Sequence, residues 1–104
     1  MPYHISPPLI YHICTSESWK AQEKNHFIVH ASLATEGFIH CSKLEQVEGV
    51  LSRYFDNVDD LLQLTIQTDR VERIFYEASR SGELFPHIYG PIPRGAISKV
   101  TKIK

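Results

Sequence analysis

The chain has 104 residues, eleven basic and twelve acidic side chains for a net charge of −1, 42% hydrophobic residues and two cysteines. That length and composition read as one folded domain over residues 1–104 and exclude disorder across its body. The near-zero charge excludes the basic stripe of a duplex nucleic-acid binder, and no apolar run approaches the ~20 residues that span a bilayer.

The opening MPYHISPP reads as a loose arm over residues 1–8, because Pro7 and Pro8 disfavour helix and sheet interior alike. It lacks a charged n-region and a small-residue cleavage site, and two cysteines are too few for a disulfide scaffold. The expectation is a cytoplasmic protein with reduced thiols and no membrane contact. LIYHIC, from Leu9 to Cys14, is a short apolar run expected as a strand, with Ile10, His12 and Cys14 on one face. TSESWKAQEKN then carries helix signals: Thr15 or Ser16 to cap, Glu17 in the first turn, Trp19 and Ala21 to dock, and Asn25 to stop.

FIVHASL is expected as a second short strand, and GFIHCS as a third with Phe38, His40 and Ser42 sharing a face. KLEQVEGVLSRYF places Val47, Val50, Leu51, Tyr54 and Phe55 at helical spacing. LLQLTI is the clearest buried strand, RVERIFYEAS reads as a helical turn leading into a strand, and GELFPHIYGPIPRG reads as a proline-stiffened loop. The tail GAISKVTKIK is expected as a last strand, although its alternation is imperfect. The order predicts an α+β domain with a mixed, mostly antiparallel split sheet and two main helices.

Six histidines are the compositional bias. His12 and His40 sit inside expected strands, rigid mounts for groups that orient a hydroxyl or move a proton. Each alone could equally be a core imidazole held by a backbone carbonyl. Ser42 could cap the following helix or meet a ligand. Around His87 and Tyr89 the prolines restrict the backbone, so Phe85, His87 and Tyr89 could form one preorganised wall of a ligand site or plug the sheet. Glu36 at the turn and Glu77 in an apolar strand are the carboxylates of interest. No C-x-x-C or H-E-x-x-H spacing is present, so no metal is expected.

The strings IYHI, SLATEGFIHCS and LFPHIYGPI, with Trp19 and Ala21 in the first helix, resemble a small bacterial family. It is the domain-of-unknown-function family nine-five-two, and the resemblance covers about residues 10–100. That family is grouped by fold with the ADP-ribosyltransferase-like proteins, including RNA 2′-phosphotransferases. The resemblance implies an ADP-ribosyltransferase-like fold and a ligand such as NAD, ADP-ribose or another nucleotide or small metabolite. His12 is similar to the strand histidine that holds a ribose in that group, and His40 with Ser42 is similar to a pair in the phosphotransferase branch. The implied catalytic residues are His12, His40 and Glu77, with Ser42, Phe85, His87 and Tyr89 on the ligand. A binding module without catalysis is the alternative, with a zinc-dependent hydrolase as a third reading. The chain departs from the group where Ile13 and Cys14 follow the first histidine, and none of its arginines matches those of a 2′-phosphotransferase.

Overall fold

A computed structural model describes residues 8–104, so the expected N-terminal arm lies, apart from Pro8, outside the described residues. In chain order the first elements are β1 (Leu9–Thr15), α1 (Ser16–Ala21), β2 (Phe27–Ile28), α2 (Ala31–Glu36), β3 (Ile39–His40) and α3 (Val47–Tyr54). There follow β4 (Leu61–Gln67), β5 (Ile74–Ala78), β6 (Leu84–Ile88), β7 (Ile92–Pro93) and β8 (Ile97–Lys102). The paired strands are antiparallel and form three small sheets, ordered β1-β4-β8, β2-β7 and β3-β6-β5. The architecture is α+β with one main helix, α3.

Strand β1 is buried on both faces and β4 mostly so, with β8 the exposed edge, which is why LIYHIC and LLQLTI read as near-continuous apolar runs. On one face Ile10 and Ile66 pack with Ile28, Ile39 and Ile88. On the other, Tyr11, Ile13 and Leu61 pack under α3 through Val47, Val50 and Leu51. The imperfect alternation of the last strand has a local cause. Thr65 pairs with Lys99 and Ile66 with Ile97, so Ser98 is an extra residue in β8 and shifts the parity of everything beyond it.

Three expectations are corrected. The stretch FIVHASL holds only the two-residue β2 before turning into α2, because His30 takes the N-cap position and accepts the Ser32 N–H. Gly37, at φ 90°, ends that helix in the left-handed conformation that glycine adopts without a Cβ clash. Instead of two main helices there is one, since α1 stops after Ala21, short of the expected Asn25. There the Gln22 side chain leaves the helix and pairs with the Val29 backbone, accepting from its N–H at 2.8 Å and donating to its carbonyl at 3.0 Å. Thirdly, GELFPHIYGPIPRG is largely strand, with β6 at the centre of its sheet.

Pro86 makes that central position informative. It accepts from Cys41 N–H at 3.0 Å but has no N–H to return, so the ladder between β3 and β6 ends at His40 and His87. The chain then transfers to the first sheet. Ser42 and Tyr11 exchange two backbone hydrogen bonds, at 2.8 and 2.7 Å, as an isolated bridge. Beside it His12 Nδ1 donates to the His40 carbonyl at 2.7 Å. These contacts tie the β3 segment to β1.

Two stability measurements follow. Leu64 is wholly buried in β4, and Leu64→Ala should cost about 2–5 kcal/mol in urea denaturation. His12 is 4% exposed, and burial pushes its imidazole down from 6.5 to about 4. Between those values the unfolded chain binds a proton that the folded chain refuses, so stability is lost as pH falls, by about 3 kcal/mol in all. In His12→Asn the amide Nδ2 can replace the Nδ1 donor without titrating. Urea melts from pH 4 to 7 should then show a shallower fall than the wild type.

Candidate functional site

Between the joined sheets lies a cleft of about 460 Å³. His12 from β1, His30 from the start of α2, His40 from β3 and His87 from β6 all line it, with Phe38 and Phe85 among its apolar walls. No lysine, arginine, aspartate or glutamate is among its described lining residues. Its polarity is carried by imidazoles and a few hydroxyls.

The four rings fall into two classes. His12 and His30 are held by backbone: His12 Nδ1 donates to the His40 carbonyl, and His30 Nδ1 accepts from Ser32 N–H at 3.1 Å. Their rings meet edge-on with centroids 5.3 Å apart. Burial holds His30 below the usual histidine range, with the nearby His40 adding to the effect and Glu36 opposing it. His40 and His87 are each paired with a carboxylate. Glu36, four residues before His40 at the end of α2, places both carboxylate oxygens 3.2 Å from His40 Nε2. This pair is half exposed and contributes little to stability.

The pair at His87 is more enclosed, its imidazole 12% exposed. Glu77 Oε1 accepts from His87 Nδ1 at 2.7 Å and from the Tyr89 hydroxyl at 2.5 Å. The Tyr89 hydrogen bond, then that of His87, holds the Glu77 carboxyl below the usual carboxylate range. The same contact raises the Tyr89 hydroxyl. With Nδ1 committed to the carboxylate, the second nitrogen of neutral His87 carries the lone pair. Phe38 stacks on the His87 ring at 4.0 Å and 17°, which fixes the ring plane. The His40 and His87 rings stand edge-on at 5.2 Å.

Of the residues singled out by sequence, His12, His40, Ser42, Phe85 and His87 line the cleft together. Glu77 and Tyr89 stand behind His87, not on the cleft wall, and Tyr89 lines a smaller cavity beside Arg73. Ser42 is buried and spends its backbone on Tyr11, while Lys43 takes the N-cap position of the turn at Leu44–Gln46. The backbone-satisfied core imidazole is realised at His12, whose ring nevertheless borders the cleft.

His30 and Phe38 complete the wall, and sequence reasoning does not single them out as site residues. The strand expected over FIVHASL hides His30, whereas Phe38 shares the expected His40 face. The Glu36–His40 pair spans the turn from α2 to β3, so no helical spacing signals it. Cys41 and Cys14 are buried and free, and burial raises both thiols, Cys14 to about 11, so neither is a thiolate nucleophile at neutral pH. Among the described residues no three histidine, cysteine or acidic side chains converge as metal ligands. None of the described helices is long and apolar enough to cross a membrane.

Comparison with known proteins gives a fold relative at 28% identity, protein CC0527 from Caulobacter crescentus. Its crystal structure superposes with a TM-score of 0.84 over 92% of this chain and 86% of the other. The crystal structure of a double mutant of that protein gives 0.83 over the same shares, and its solution NMR structure 0.81 over 94% and 86%. No curated protein matches the chain. The family model described as "Protein of unknown function (DUF952)" matches residues 13–100, and the chain belongs to that family.

Proposed function

We propose that the chain is an enzyme of the ADP-ribosyltransferase-like kind, which binds an NAD- or ADP-ribose-related substrate in the histidine cleft and transfers or hydrolyses its ribosyl group. The observation that carries this reading is the chain Tyr89–Glu77–His87, which delivers an oriented, carboxylate-backed imidazole to a cleft already holding His12. The resemblance of His12, and of His40 with Ser42, to that fold group supports the same substrate class.

Cleaving a bond at the anomeric carbon develops oxocarbenium character. His12, donating through Nδ1 to the backbone, has its Nε2 lone pair left to accept from a ribose hydroxyl. The leaving base departs with the bonding electron pair, and water or an acceptor hydroxyl attacks the same carbon. His87 takes the proton of that nucleophile, and the Glu77 carboxylate stabilises the imidazolium that results. In this arrangement Glu77 is a positioning residue, held ionised by Tyr89, and His40 with Glu36 is a second proton-transfer group at the mouth.

A second reading, a binding module without turnover, is favoured by one observation: no carboxylate is among the described lining residues to meet the developing cation directly. Calorimetric titration with NAD, ADP-ribose and nicotinamide, beside an assay of nicotinamide release, separates the two. Wild-type protein should bind at least one nucleotide and release nicotinamide, and His12→Ala should weaken binding about tenfold, near the 1.4 kcal/mol of one lost hydrogen bond. Glu77→Gln should lower turnover about 10²-fold with binding kept and the pH–rate profile displaced. Binding without release would establish the module, and absence of heat with every nucleotide would overturn the substrate class.

A further inference from the structure

His12 and His30 are fixed in opposite tautomers by the backbone. His12 Nδ1 carries a proton, because it faces the His40 carbonyl at 2.7 Å, so Nε2 is a bare acceptor. His30 Nδ1 carries a lone pair, because Ser32 N–H points at it from 3.1 Å, so Nε2 carries the proton. The Ser32 hydroxyl donates to the Phe38 carbonyl at 2.8 Å while lying 3.0 Å from the same His30 nitrogen. Among the described residues neither Nε2 has a hydrogen-bond partner, and both rings border the cleft edge-on at 5.3 Å.

The geometry points to a subsite for an uncharged cis-diol: the ribose 2-hydroxyl donates to His12 Nε2, and the neighbouring 3-hydroxyl accepts from His30 Nε2–H. This deepens the proposed function and rests on it, since it assigns the ribose of the substrate to this pair and makes His30 a specificity residue. The subsite selects against charge. A proton on His12 Nε2 is opposed by burial, and one on His30 Nδ1 would face the Ser32 N–H. With no lysine or arginine among the described lining residues, a phosphate on the 2-hydroxyl would face the His12 lone pair without a counter-charge. The site therefore takes an unmodified ribose and rejects a 2′-phosphorylated one. Of the two chemistries the fold resemblance implies, this favours ribosyl transfer over removal of a 2′-phosphate.

The test uses the full chain labelled with ¹⁵N at histidine. Long-range proton–nitrogen spectra should read His12 as the Nδ1–H tautomer and His30 as the Nε2–H tautomer, and the same tautomer at both would overturn the pair. ADP-ribose should then bind about tenfold or more tighter than its analogue lacking the terminal 2-hydroxyl, and tighter still than the analogue phosphorylated there. In His30→Asn the amide oxygen can keep the cap on Ser32, checked by an unchanged melting temperature, but the Nε2 donor is gone. The wild-type preference for ADP-ribose over its analogue lacking the terminal 3-hydroxyl, about tenfold, should shrink to within twofold. Wild-type protein that binds ADP-ribose and tolerates both analogues within twofold would overturn the subsite and leave the proposed function standing. If no nucleotide binds, adenosine is the second probe. Adenosine shifting both Nε2 signals would support the diol site and overturn the nucleotide substrate, whereas no shift would overturn both.

Discussion

The transfer of one short segment from one sheet to another is the constraint on which the molecule depends. Residues 39 and 40 pair with β6, Cys41 gives its N–H to Pro86, and Ser42 pairs with β1. A proline without an N–H ends the first ladder at the place where the second begins. Because the same segment bonds to both sheets, they are tied together there, and the cleft is lined from both of them. His12 reinforces the joint by donating to the His40 carbonyl, so a group bordering the cleft is also part of the hinge of the fold.

That double role shapes the chemistry. A histidine whose proton is committed to a backbone carbonyl presents a defined acceptor and resists protonation. His30, capping α2 with its own lone pair, presents the opposite face. His40 and His87 are governed by carboxylates instead and are the groups suited to proton transfer. In the proposed reaction, neutral recognition and acid–base work fall to different pairs of the same residue type, sorted by whether backbone or carboxylate holds the ring. The Phe38 stack on His87 and the Tyr89 hydrogen bond to Glu77 remove the remaining freedom of the second pair.

Much of the fold is legible because β1 and β4 lie inside the core and read as apolar runs, as LIYHIC and LLQLTI do. The helix over Val47–Tyr54 carries a 3.6-residue stripe for the same reason, having one face to bury. FIVHASL misleads because Ile28 and Leu33 are too few to set a period, and a histidine cap is decided by whether the imidazole can reach a backbone N–H. GELFPHIYGPIPRG misleads because three prolines argue against a central strand. Pro86 is tolerated there only because the partner strand turns away at that residue.

At the site, the residue types and the strand mounts of His12, His40 and Glu77 are legible in the chain alone, whereas His87 reads there as part of a stiff loop. Local sequence determined these because alternation assigns a face and proline restricts a backbone, both effects reaching only a few residues. Which nitrogen of each ring carries the proton, that Glu77 stands behind His87, and that His30 joins His12 across 18 residues were decided by tertiary structure. Tautomers and carboxylate partners depend on the atom lying opposite. For His12 that atom is the His40 carbonyl, 28 residues away, brought there by pairing between strands that no local pattern encodes.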